Sequence, residues 1–174
     1  FKADRIFINT GATPFVPPVE GLTIGGAIHT SETIMNLEEY PESLVISGSG
    51  FIGLEFAATY AQFGTKVTVI DVTEAFLPRE DEDVAQAVKE QLEALGVTFN
   101  LGVQLKAVHQ EGGKAVVEAT TGEGAPVAFT ADAVLVATGR RANVQGLDLD
   151  KAGVELTERG DIKVNEFFQT NVPH

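Results

Sequence analysis

Gly48-Ser49-Gly50-Phe51-Ile52-Gly53 is a G-x-G-x-x-G motif. Such a turn holds a pyrophosphate when it joins a buried strand to a helix. Gly48 then allows the tight turn, Gly50 lets backbone approach the phosphates, and Gly53 lets the helix pack close to the strand. Free N–H groups and the positive dipole end at the helix start let even an acidic chain bind an anion. Asp71 is the second candidate, at the end of the strand predicted over 66–70. A carboxylate there accepts hydrogen bonds from adenosine ribose hydroxyls and repels a 2′-phosphate. Val72-Thr73-Glu74 follows instead of basic residues, and the nearest later cation is Arg79. NAD is therefore favoured over NADP. Two plainer readings stay open: a purely structural glycine turn, and an aspartate that only caps a turn.

Other chemistries find less support. The chain lacks the lysine and Ser/Thr of a phosphate-binding P-loop. His29, His109 and His174 are isolated, with no metal-ligand or Ser/His/Asp spacing, so no histidine is assigned a function. The acidic run Glu80-Asp81-Glu82-Asp83 suits the first turn of a helix, where it complements the dipole. With no cysteine there is no disulfide scaffold, thiolate zinc site or cysteine redox chemistry in these residues. The net charge of −13 and the absence of a basic cluster argue against nucleic acid and anionic membranes as partners.

The elements that must position the glycine turn are legible in outline. Residues 43–47 form an apolar run suited to a buried strand. A helix over 51–63 is predicted from Ile52, Phe56, Thr59 and Phe63, with Gly64 as its stop. A second strand covers 66–70. A second helix covers 81–95, with Val84, Val88, Leu92 and Leu95 on one face and Gly96 as its stop. A third strand covers 97–101. This β-α-β-α-β order demands a parallel sheet. Residues 104–109, 114–120 and 126–130 then read as an antiparallel meander. Residues 132–137 return as a fourth parallel strand. A short strand is expected at 4–9, linker chemistry at 12–26, and a brief helical turn opened by Thr30-Ser31-Glu32. The tail 144–174 has no strong period. The fold class is α/β: a Rossmann-like three-layer domain with a parallel sheet and a small antiparallel β-meander.

Length and composition agree with this. The chain has 174 residues, 44% of them hydrophobic and 21% charged, enough for a packed domain without a staple. No apolar run is long enough to span a membrane and no secretory leader is visible, so a cytoplasmic location is expected. Ala3-Asp4-Arg5-Ile6-Phe7-Ile8-Asn9-Thr10-Gly11 repeats as Ala131-Asp132-Ala133-Val134-Leu135-Val136-Ala137-Thr138-Gly139. The first copy is expected to close a different sheet, one belonging to a second, related domain. Phe1 at the start and Asn171-Val172-Pro173-His174 at the end suggest a piece of a longer protein.

Together these residues resemble the flavin-dependent pyridine nucleotide–disulfide oxidoreductases, the group of dihydrolipoamide dehydrogenase, glutathione reductase and mercuric reductase. The resemblance is carried by Gly48 through Ala57 and by Ala137-Thr138-Gly139-Arg140-Arg141-Ala142-Asn143. It implies an NAD(P)-binding domain at 27–143, a remnant of an FAD domain and linker at 1–26, and a return segment toward that domain at 144–174. The intact parent would pass hydride from NAD(P)H to FAD and on to a disulfide or related acceptor, as a homodimer formed through a domain absent here. The isolated fragment would hold no FAD and would not turn over. By resemblance, Glu55 lies near the nicotinamide end and Phe51 stands where relatives carry a gating tyrosine. Gly139 approaches the nicotinamide side, Leu105 lies against the adenosine half, and Val72 follows Asp71 in the same site. Thr10 and Gly11 would touch FAD in the parent. A non-catalytic nucleotide-binding or sensing module is the alternative.

Overall fold

The computed structural model describes residues 3–174. Phe1 and Lys2, the first residues of the 1–26 segment, lie outside the described residues. The chain divides into two compact units. The larger is Pro14–Gly139; the other combines Phe1–Thr13 with Arg140–His174.

In the larger unit the glycine turn joins a strand to a helix. Strand β1 is Ala12–Pro14, β2 is Ile28–Thr30, and β3 is Ser43–Ser47. Helix α1 (Phe51–Gln62), strand β4 (Lys66–Asp71), helix α2 (Glu82–Ala94) and strand β5 (Thr98–Leu101) follow. Strands β6 (Val103–Glu111), β7 (Lys114–Thr121) and β8 (Pro126–Ala131) form an antiparallel meander. Strand β9 (Ala133–Val136) rejoins the parallel sheet, whose order is β2-β9-β3-β4-β5. It is the fifth strand rather than the fourth, because β2 pairs with its free side.

Strand alternation explains the three layers. Leu44, Ile46, Val67, Val69 and Leu135 face the helices, packing with Leu54, Ala57 and Leu92. Val45, Ile70, Val134 and Val136 face the meander and meet Val103, Val108, Val117 and Ala119. The crossovers through α1 and α2 cover one face, and the meander connection covers the other. Strand β3 therefore has β4 on one side and β9 on the other, reached by connections over opposite faces. That is a topological switch point, where ligands of open α/β sheets bind beyond the carboxyl ends of the strands.

Both helices end at the expected glycines. Thr65 N–H donates to the Tyr60 carbonyl at 3.0 Å, and Val97 N–H to the Leu92 carbonyl at 3.1 Å, closing the last turns. The buried faces differ from the expected ones. Helix α1 turns Gly53, Leu54, Ala57 and Tyr60 inward, while Phe63 is exposed. Gly53 and Ala57 let the helix approach the sheet, Tyr60 is buried beside them, Phe56 packs at the core edge, and Phe63 is displaced to the exposed flank. In α2, Ala85 and Leu92 are buried and Val88 packs at the core edge, whereas Val84 and Leu95 are exposed. Ser31-Glu32 lie in a turn that leads into the brief helical turn. Ile28–Thr30 is a buried strand, and a single 3-10 turn follows at Ile34–Asn36. The linker also carries structure: Glu20 bridges Ala107 of β6.

The second unit holds no strand at 4–9. A strand persists only with a ladder partner, and among the described residues none pairs there; Ile6 and Phe7 are exposed. The sequence repeat is thus not repeated in structure among the described residues. Strand β1 pairs instead with β10 (Arg140–Ala142). The Arg140 guanidinium donates to the Ala12 carbonyl. The tail carries an isolated bridge, Leu156 with Ile162. Among the described residues, no helix is long and apolar enough to cross a membrane.

Candidate functional site

A cleft of about 710 Å³ opens beyond the carboxyl ends of β3, β4 and β9. Its floor is the glycine turn. Gly48 has φ 115°, which side-chain-bearing residues rarely adopt, and a Cβ there would strike the Ala137 carbonyl oxygen. A Cβ on Gly53 would strike the carbonyl oxygen of Gly48. These two glycines are fixed by internal packing. Gly50 differs: its φ is −76°, and an added Cβ would meet nothing within 4 Å. Its glycine character serves no contact inside the protein and leaves open space over the start of α1. That is the space a phosphate approaching backbone requires.

Asp71 closes the turn from the side. Its Oδ2 accepts from Ser49 N–H at 2.6 Å and from Ser49 Oγ–H at 2.8 Å. Its Oδ1 accepts from Thr73 N–H at 2.8 Å. Burial pushes the Asp71 carboxyl upward, but the hydrogen bonds from Ser49 and Thr73 together outweigh it and hold the group below its ordinary value. Asp71 thus caps a turn while lining the cleft.

Of the residues singled out, Gly48, Ser49, Gly50, Phe51, Asp71, Val72, Leu105 and Gly139 line this cleft. Phe51 and Val72 are well exposed at it. Ile52, Gly53 and Glu55 belong to the first turns of α1 and lie outside the lining, with Glu55 on the exposed face. Thr10 and Gly11 belong to the other unit. There, Thr10 Oγ1 donates to the Asn143 carbonyl at 2.7 Å, and Asn143 N–H donates to the Gly11 carbonyl at 2.9 Å.

Three parts of the wall were not expected. Pro17 and Val19 come from the linker, Val103 and Gln104 from β6, and Leu77 through Glu80 from the β4–α2 connection. The linker reading hid the first, although its bridge to β6 is what brings it here. Thr138 also lines the cleft, and its Oγ1 donates to the Phe15 carbonyl at 3.0 Å. Its place beside Gly139 in the repeated Thr-Gly pair was the available signal. Among the described residues, no group of three or more His, Asp or Glu could hold a metal ion.

The sequence pattern described as pyridine nucleotide-disulphide oxidoreductase matches residues 1–174. The chain belongs to that family. It is 38% identical over 167 residues to a probable pyridine nucleotide-disulfide oxidoreductase, RclA, of Escherichia coli (strain K12), covering 96% of this chain and 37% of that protein. It is 39% identical over 173 residues to a dihydrolipoyl dehydrogenase of Bacillus subtilis (strain 168), covering 99% and 37%. The solved structure of the HOCl-induced flavoprotein disulfide reductase RclA from Escherichia coli superposes with a TM-score of 0.87 at 35% identity, covering 97% of this chain and 38% of that one. The Rossmann-like α/β fold is shared with that flavoprotein. The chain spans well under half the length of these relatives.

Proposed function

We propose that this chain is the NAD(H)-binding domain of a flavin-dependent oxidoreductase. Residues 27–143 would be the nucleotide-binding domain, 1–26 a remnant of the FAD domain with its linker, and 144–174 the segment returning to it. The observation that carries the reading is the open space at Gly50, at the switch point and beside Asp71. A dinucleotide fits the donors and acceptors present. The start of α1 offers N–H groups to the pyrophosphate, Asp71 retains acceptor capacity for a ribose hydroxyl, and Leu105 with Val19 offers an apolar wall.

NAD(H), when bound, supplies the hydride; the chain binds and orients it. Phe51, exposed at the cleft, is suited to cover the nicotinamide end, and Gly139 leaves room there. Glu55 and Ile52 are proposed on resemblance alone, as are the FAD contacts of Thr10 and Gly11. FAD belongs to the parent rather than to this chain, which does not turn over by itself. The acceptor is a disulfide or a related group. On the same resemblance the parent is a cytoplasmic homodimer.

Calorimetric titration of the 174-residue chain with NADH tests the reading. Saturable binding, weakened in Asp71→Ala, is expected. No heat beyond dilution, with the chain folded by circular dichroism, contradicts it.

A further inference from the structure

On the dinucleotide reading of this cleft, on which the inference rests, we propose that Ser49 is a positioning residue that limits Asp71 to a single ribose hydroxyl. Its own hydroxyl fills the acceptor site that a second ribose hydroxyl would otherwise take.

An ionised carboxylate has about four acceptor sites, shared between its two oxygens, and no proton to donate. Asp71 is ionised at neutral pH. Burial raises its carboxyl, but the bonds from Ser49 and Thr73 outweigh burial and hold it below its ordinary value. Oδ2 is full: it accepts from Ser49 N–H at 2.6 Å and from Ser49 Oγ–H at 2.8 Å. Oδ1 accepts from Thr73 N–H at 2.8 Å and keeps one site. Tied at both oxygens, the carboxylate cannot rotate to present Oδ2 to the cleft it lines. A ribose offers two neighbouring hydroxyls. One of them finds Asp71 and the other does not.

The donors to Asp71 are not equal. Two are backbone N–H groups that the fold holds in place. Ser49 follows Gly48, whose N–H donates to the Ile70 carbonyl at 2.9 Å, and Thr73 lies just past the end of β4. They persist whatever side chains stand there. The Thr73 hydroxyl also favours the charged carboxylate, but Thr73 is exposed and water competes for its proton. Ser49 is only 6% exposed, so its hydroxyl proton stays on Asp71. In the G-x-G turn the glycines carry the conformational and packing roles. The hydroxyl at the position between them is what this chain adds to the motif.

The test is calorimetric titration of the full 174-residue chain with NADH and with two NADH analogues, one lacking the 2′-hydroxyl and one the 3′-hydroxyl of the adenosine ribose. In the wild type, one analogue is expected to bind about fivefold or more weaker than NADH, and the other within about twofold of it. In Ser49→Ala the freed site on Oδ2 should make the second hydroxyl count. The indifferent analogue is then expected to fall about threefold or more below NADH. Ser49→Gly removes the same hydroxyl and serves where Ser49→Ala does not fold. A merely structural role for Ser49 would weaken all three ligands alike and leave their ratios unchanged, which overturns the inference. A wild type that is sensitive to both hydroxyls, or to neither, overturns it without any variant, while its NADH binding leaves the dinucleotide reading standing. Absence of NADH binding overturns both.

Discussion

Ser49 donates both its backbone N–H and its hydroxyl to the same oxygen of Asp71, at 2.6 and 2.8 Å. The second residue of the glycine motif is thereby tied to the last residue of β4. The same pattern recurs at the other end of β3. Ser43 N–H and Oγ–H both reach Asp132 Oδ2, at 2.9 and 2.6 Å, and Asp132 N–H returns to Ser43 Oγ at 3.0 Å. One clamp fixes the glycine turn against β4; the other fixes the start of β3 against the start of β9.

Removing the Ser49 hydroxyl isolates the first clamp. Ser49→Ala keeps the N–H bond and loses the O–H bond to a charged acceptor. A loss of roughly 1–2 kcal/mol of stability is expected. The Asp71 carboxyl should also titrate closer to its ordinary value, since a donor to its charged form has gone. Urea unfolding and a carbon-detected NMR titration of Asp71 measure the two effects.

Acid should act through both clamps. The Asp132 carboxyl is held down first by its hydrogen bond from Lys114 and then by Ser43. Lys114 Nζ lies 2.8 Å from Asp132 Oδ1. Asp71 is held down as described. A carboxyl lowered in the folded state stabilises the fold above its unfolded value, about 3.9, and that stabilisation is lost as pH falls through the folded value. Stability should therefore be flat in these groups at neutral pH and fall below about pH 4. Asp71→Asn and Asp132→Asn should each be less stable at pH 7 and show a shallower acid slope, read from unfolding midpoints between pH 2 and 7.

Gly53 tests packing rather than binding. Its added Cβ would meet backbone, the Gly48 carbonyl oxygen, which cannot swing away. Gly53→Ala should cost on the order of 2 kcal/mol or more through overpacking, lowering the melting temperature by several degrees. Ile46 lies in the same layer, fully buried between β3 and the helices. Ile46→Ala is expected to cost about 2–5 kcal/mol. Thermal unfolding by circular dichroism measures both.

Much of this fold was legible before the structure. The run at 43–47 is apolar at its centre and 66–70 is rich in β-branched residues because both faces of the parallel sheet are covered, and glycines at 64 and 96 mark the helix ends. What was not legible depends on partners distant in sequence. Ile28–Thr30 is too short to announce itself and becomes a strand because β9 lies beside it. Asp4–Asn9 has strand composition and no ladder. The inward face of α1 is set by close approach to the sheet, which selects Gly53 and Ala57 over Phe63, while Phe56 packs at the core edge. In the site, the glycine turn and Asp71 were readable from spacing. The Ser49–Asp71 bond and the Pro17–Val19 wall arise from tertiary closure.

Gly50 offers the most direct measurement. Gly50→Val places a branched side chain in the open space over the start of α1, in a backbone conformation that any residue adopts. The dinucleotide account predicts a melting temperature equal to or slightly above that of the wild type, since the unfolded chain loses freedom. It predicts NADH affinity lowered by at least about tenfold, equivalent to about 1.4 kcal/mol. NADH binding at wild-type affinity in a folded Gly50→Val chain would contradict it.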